Sequence, residues 1–247
     1  MIQKSKKFKF KDELKSFDSS TISLCLAIFP WAKFRKNKGG IKMHTVLSNN
    51  FNVPEVITLT NAKVHDSKEL WSIPIKENSI YVFDRAYLCL KYLYLLTQKG
   101  SHFVMRMKKN TKYRTLKRMP VSEINKSRGV IFDHEIKFSG SKKENYSDSL
   151  RHVKFKDIST GMIFNFITNR FDLSPFTIAE IYKDRWKIEL FFKNKKCKWR
   201  QSGDETCYPE LIKRIQNTKF HGTTNSFSNS TNLKEALMKK FFLPMLL

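Results

Sequence analysis

The chain has 247 residues, 40% of them hydrophobic, which is enough for one sizeable packed domain and too apolar for a disordered tail. Lysine and arginine number 47 against 22 acidic residues, a formal charge of +25 that favours polyanionic partners, nucleic acid before anionic membrane, without separating enzyme from structural binder. No stretch approaches the roughly 20 apolar residues of a membrane span, and MIQKSKKFKFKDELK lacks the apolar run of a secretory leader, so the expected location is the cytoplasm.

Residues 1–12 read as a basic lead-in, and Leu14 to Phe17 as a short strand ending at Asp18. Alone, Asp18 is a turn or cap residue as readily as a carboxylate at the end of a central strand. Gly39 and Gly40 mark a turn before IKMHTVLS, whose alternation suits a strand, with VPEVITLT as its antiparallel neighbour. Residues 66 to 72, DSKELWS, follow as a connecting helix. His44 and His65 read as hydrogen-bonded structural histidines rather than metal ligands.

SIYVF is a strand broken abruptly by Asp84, and LCLKYLYLLTQKG is a helix with Leu88, Tyr92, Leu95 and Leu96 as its apolar positions and Gly100 as its stop. SHFVMRMKK returns as a strand. In such a βαβ arrangement ligands gather at the carboxyl ends of parallel strands, which favours Asp84 over an average aspartate. Residues 110–160 loosen into β-like runs, KYRTLKRM, GVIFDHEIKF and LRHVKFKD, rich in cations among aromatic and β-branched residues. They read as an ordinary antiparallel insertion or as a basic sheet that tracks a DNA backbone. MIFNFITNRF is the last strand before a long helix.

That helix, FTIAEIYKDRWKIELFFKNKK, spans Phe176 to Lys196, with Ser174 and Pro175 supplying its start signals. At about 100° per residue, Tyr182, Arg185, Glu189, Lys193 and Lys196 share one face, while Ile181, Ile188, Phe191 and Phe192 share a neighbouring one. The bland reading is a solvated stripe with an i, i+4 Arg185–Glu189 pair worth a few tenths of a kcal/mol. The spacing of Tyr182, Arg185, Glu189 and Lys196, however, resembles the Tyr-Arg-Glu-Lys signature of one group of bacterial insertion-sequence DDE transposases. Two earlier blocks agree in order: FDSSTISLCLAIFPWAKFRKNKGGIKMHT resembles the block carrying the first acidic ligand, at Asp18. Asp84, Arg85 and Tyr87 resemble the family's Asp-Arg-x-Tyr motif, with Ala86 where glycine is commoner.

The resemblance implies an α/β fold: an RNase H-like mixed sheet flanked by helices, its first part over 13–109, a β-rich insertion over 110–160 and the catalytic helix within 161–198. It implies Asp18, Asp84 and Glu189 as catalytic metal ligands for two Mg2+ or Mn2+ ions, and Arg85, Tyr87, Tyr182, Arg185, Lys193 and Lys196 as DNA contacts. The implied activity is cleavage at transposon ends and strand transfer into target DNA, by a homodimer that brings two ends together, in a cytoplasmic, nucleoid-associated setting. Family members carry a DNA-binding region ahead of the first aspartate, whereas 17 residues precede Asp18, and 199–247 form a polar tail. A truncated copy is therefore expected. A non-catalytic DNA-binding remnant and a cellular RNase H-like nuclease are the alternatives. Cys25, Cys89, Cys197 and Cys207 form no close CxxC pair and read as reduced thiols, and a zinc site from Cys197, Cys207 and His221 matches no usual spacing.

Overall fold

In a computed structural model, which describes residues 8–24, 26, 33–140 and 145–201 (side chains excepted at 24, 34 and 195–201), SIYVF forms strand β5, Ser79–Phe83, buried at every position. A strand apolar on both faces needs cover on both, as in a parallel layer. It lies between β1 (Glu13–Leu24) and β6 (His102–Arg106), parallel to each. On its other side β1 pairs antiparallel with β3 (Lys38–Ser48), which also pairs with β2 (Lys33–Arg35) and β4 (Val53–Asn61). The order β4-β3-β1-β5-β6 is the expected RNase H-like mixed sheet.

The sheet continues past β6. β10 (Ile163–Thr168) pairs antiparallel with β6, and β9 (Leu150–Lys156), β8 (Val130–Phe138) and β7 (Tyr113–Met119) follow, giving one ten-stranded sheet. The β-rich segment thus adds strands to the core sheet through the free edge of β10. β7, at the end, exposes Arg114, Lys117 and Arg118. Such charges on an edge strand also discourage pairing with another sheet.

Side-chain alternation sorts the core into two layers. Phe17, Tyr81, Phe83, Phe103 and Met105 face one side, where α2 (Leu90–Gln98) covers them with Tyr92, Leu93 and Leu96. Leu14, Ile80, Val82 and Val104 face the other, under Ile178, Ala179, Ile181 and Tyr182 of α4 (Pro175–Asp184). Gly100 ends α2 at φ 67°, a left-handed position that glycine takes without a Cβ clash. The connecting segment is a short helix α1 (Asp66–Glu69) with a 3-10 turn over 70–72. Another short helix, α3 (Glu123–Ser127), is capped by Ser122 and is too short to leave a periodic signal.

The predicted single helix over 176–196 is two. α4 ends at Asp184 and α5 (Trp186–Gln201) begins after Arg185. The cause is a side chain inserted into the hydrogen-bond ladder. Asn49 Nδ2 donates to the Asp184 carbonyl at 3.0 Å, the oxygen that would otherwise accept from Ile188, and the Ile188 N–H bonds back to the Arg185 carbonyl at 3.1 Å instead. Lys187 Nζ fastens the same joint, to Asn49 O at 3.1 Å and to Asp184 Oδ2 at 3.0 Å.

Candidate active site

Sheet register sets the first two carboxylates side by side. Phe17 pairs with Phe83 in the parallel ladder of β1 and β5, so Asp18 and Asp84 follow at adjacent strand positions. β5 stops there. β1 does not: contrary to the short strand expected to end at Asp18, it runs to Leu24, because its antiparallel ladder with β3 continues through Asp18–Thr45.

The third carboxylate arrives from α5, and one guanidinium joins it to the strands. Arg185 Nη1 donates to Asp18 Oδ2 at 3.1 Å, and Arg185 Nη2 is hydrogen-bonded to Glu189 Oε1. The guanidinium lies 5.5 Å from the Tyr182 ring centroid, and the Tyr182 hydroxyl donates to Asp84 Oδ1 at 3.1 Å. Asp18 Oδ1 also accepts from the Ser19 N–H at 2.8 Å and from the Tyr87 hydroxyl at 3.3 Å. Burial raises the Asp18 carboxyl above its ordinary value, with the charges of Glu189 and Asp84 adding to the rise and the Ser19 N–H and Arg185 opposing it. Burial likewise pushes Tyr182 up to about 12, so its phenol remains a donor throughout the physiological range.

The other expected contacts divide. Arg85 is exposed on the 3-10 turn beside Asp84, and Lys193 is exposed on α5. Tyr87, expected as a DNA contact, is 2% exposed, packs edge-on against Phe17 and turns its hydroxyl to Asp18. Tyr182 is also mostly buried, at 8%. Lys196 lies in α5, but its side chain is outside the described set, as are Cys25, Cys197, Cys207 and His221. Among the described residues Cys89 is a free thiol. His65 caps α1, and buried His44 hydrogen-bonds Thr60 Oγ1 at 2.9 Å, both structural roles.

Two neighbours of the site were not visible in the sequence pattern. Asp66 accepts from Ser19 Oγ at 2.9 Å and pairs with Lys42 Nζ at 3.0 Å, bracing the residue next to Asp18. Only the His65-Asp66 pair hinted at it. A cleft of about 480 Å³ opens beside Tyr182 and Arg185, walled by Phe155, Phe164 and Phe176 with Arg128 and Trp186 at its lining. Arg128 stands 5.0 Å over the Phe176 ring.

Hard divalent cations prefer carboxylate oxygens, so the donor chemistry of Asp18, Asp84 and Glu189 fits such an ion. Their present arrangement is another matter. Among the described residues no group of three or more His, Cys, Asp or Glu side chains is disposed to hold a metal, and Arg185 spans two of the three carboxylates.

Acidic side chains just past the last parallel pair of β1 and β5 in an RNase H-like sheet, joined through Arg185 by one from a late helix, define the class. The family follows from comparison: residues 9–217 match the transposase DDE domain, and the chain belongs to that family. It is similar to a probable transposase for insertion sequence element IS5377 of Geobacillus stearothermophilus, with 28% identity over 77% of this chain and 50% of that protein. A second relative, named as transposase y4zB of Sinorhizobium fredii, is 28% identical over 73% of this chain and 50% of its own length. The chain thus spans about half the length of these curated relatives. Among solved structures, a piggyBac transposase synaptic complex with hairpin DNA aligns with a TM-score of 0.45 at 12% identity, over 73% of this chain and 39% of that one. Among the described residues no helix is long and apolar enough to cross a membrane.

Proposed function

We propose that this chain is the catalytic part of an insertion-sequence transposase, acting by metal-dependent cleavage at transposon ends followed by attack of the freed 3′-hydroxyl on target DNA. The observation that carries the reading is that Asp18 and Asp84, just past the last parallel pair of β1 and β5, and Glu189 of α5 all bond to one Arg185–Tyr182 pair. When bound by these carboxylates, two Mg2+ or Mn2+ ions would supply the charge neutralisation and oxygen activation that phosphoryl transfer requires.

The chain's own residues do the rest. Tyr87 and Ser19 orient Asp18, and Tyr182 orients Asp84, each through a hydrogen bond that limits the carboxylate's rotation. Exposed Arg85 and Lys193 are set to hold phosphates near the carboxylates, with Lys196 completing the Tyr-Arg-Glu-Lys signature one turn further on. The aromatic cleft beside Tyr182 has the π-faces to receive an unstacked base, and the cations of β7 suit the backbone of an approaching duplex. DNA ends and target are the partners on this reading, a homodimer pairs the ends, and the setting is cytoplasmic and nucleoid-associated.

The test uses purified protein with Mg2+ or Mn2+ and DNA carrying the ends of the host element. Asp18→Asn and Glu189→Gln should each lose cleavage and strand joining by about 10²–10³-fold, the scale of losing one group that stabilises transition-state charge, while still binding DNA. Variants that cut and join as well as the parent would take the carboxylates out of the mechanism.

A further inference from the structure

We propose that Arg185 is the resting counter-ion of the carboxylate site: its guanidinium clasps Asp18 and Glu189 in the DNA-free protein, and a DNA phosphate draws it off so that a divalent cation can take the same oxygens. This rests on the metal-site reading above and adds a coupling that the reading does not require.

The first argument is exclusion. Arg185 Nη1 stands 3.1 Å from Asp18 Oδ2, and its Nη2 holds Glu189 Oε1. A magnesium ion needs oxygens at roughly 2.0–2.1 Å in near-octahedral array, so it cannot take Asp18 Oδ2 and Glu189 Oε1 together while the planar fork of Arg185 spans them. Either the cation on the chain occupies the site or the cation from solution does.

The second is that the clasp leaves the guanidinium unfinished. Arg185 has 13% of its side chain exposed, yet its Nε is buried with no hydrogen-bond partner. An unpaired buried donor is costly, and a phosphate can satisfy a guanidinium bidentately through Nε and a terminal nitrogen. DNA therefore offers what the resting pose withholds.

The third is freedom to move. Arg185 sits at the joint between α4 and α5, and it lines the cleft that also includes Arg128, Asp157, Glu180, Lys183 and Trp186. The lining of that cleft includes Arg185 but not Asp18, Asp84 or Glu189, so it is space that the side chain borders apart from the carboxylates. A site closed in this way holds metal poorly until DNA arrives, which keeps hydrolytic chemistry off until the substrate is in place. By linkage the effect is reciprocal: whatever factor DNA adds to metal affinity, metal adds to DNA affinity.

The experiment measures Mn2+ affinity of the full chain by electron paramagnetic resonance, with and without a duplex oligonucleotide, in the parent, Arg185→Gln, Asp18→Asn and Glu189→Gln. Without DNA, Arg185→Gln should bind Mn2+ at least about ten-fold more tightly than the parent, a difference of about 1.4 kcal/mol. Adding duplex should tighten the parent and leave Arg185→Gln little changed. A parent that binds Mn2+ as tightly as Arg185→Gln without DNA overturns the proposal while leaving the metal site intact. Absence of any Asp18- and Glu189-dependent Mn2+ binding, with or without duplex, removes the metal-site reading and this proposal with it. The Arg185 Nε–H resonance, identified by its loss in Arg185→Gln, separates displacement from a simple charge effect. It should shift when Mg2+ and duplex are added to the parent, and a tighter Arg185→Gln with an unmoved parent resonance also overturns displacement. If Arg185→Gln does not fold, Arg185→Lys takes its place in the same comparison, since a lysine cannot fork between two carboxylates.

Discussion

Asn49 sets the angle at which Glu189 meets the strands, and Asn49→Ala tests that directly. Its amide is 1% exposed and donates to both the Asp184 carbonyl and Asp184 Oδ2, each at 3.0 Å. One of these bonds is neutral, worth about 1 kcal/mol, and one is to a carboxylate, worth about 1.5–3 kcal/mol. Because Lys187 still neutralises Asp184, the expected loss of stability is the sum, roughly 2.5–4 kcal/mol. The structural consequence is larger than the energetic one. With Asn49 gone, the Asp184 carbonyl is free to accept from the Ile188 N–H, and α4 and α5 can close into one continuous helix. Glu189 then rotates relative to Arg185 and Tyr182, and misplacement of a reacting group by about 1 Å costs on the order of 10²-fold in rate. Single-turnover cleavage should fall by about that factor, and the backbone amide shifts of residues 184–189 should move toward regular helix. If the variant is destabilised but keeps parental shifts and rate, Asn49 does not hold the joint.

Two further perturbations probe the frame and its titration. Arg151 and Asp133 form a buried bidentate pair, each side chain 3% exposed, and Arg151 Nη1 also donates to the carbonyls of Arg170, Phe171 and Leu173, the segment that leads into α4. Arg151→Met alone should cost about 3–5 kcal/mol, and pairing it with Asp133→Leu should restore much of that loss in chemical denaturation; equal stabilities of the single and double variants would refute an uncompensated buried charge as the cause. His44 is held neutral, its value lowered from 6.5 to about 4 chiefly by burial. A depressed folded value means stability that is fully present above about 6.5 and lost as pH falls toward 4, about 3 kcal/mol in all. His44→Gln should therefore flatten the parent's decline in melting temperature across that window, and parallel curves would show that the ring is not the source.

The placement of Asp84 was legible because its signal is local. A buried apolar run that stops at a carboxylate, followed by a helix and a second run, describes β5, Asp84, α2 and β6, and the strand-end rule then says where to look. Asp18 was legible only through resemblance, since β1 passes through it without a break. The joint at Arg185 left no trace in the helix pattern because its cause, Asn49, lies 135 residues earlier and acts through one amide. The burial of Tyr87 was hidden for a related reason: a motif gives residue identity, whereas the direction of the phenol depends on Phe17 and Asp18 from another strand. Periodicity reports which face an element buries, and it is silent about single tertiary hydrogen bonds that redirect the element.

The Arg185–Glu189 pair shows how far a correct local reading can fall short. At spacing i, i+4 on a helix the two were expected to pair, and they do. On an exposed helix such a pair contributes a few tenths of a kcal/mol and little else. Here the same guanidinium also holds Asp18, 167 residues away, and is itself only 13% exposed. Sharing one cation between a helix carboxylate and a strand carboxylate turns a local contact into a link that holds α5 against β1. It also means that a second cation that takes Asp18 Oδ2 or Glu189 Oε1 must displace an Arg185 hydrogen bond to do so. Substitution of Glu189 should therefore loosen Arg185 from Asp18 as well, so that effects at the three positions are strongly non-additive, whereas three independent ligands would contribute separately.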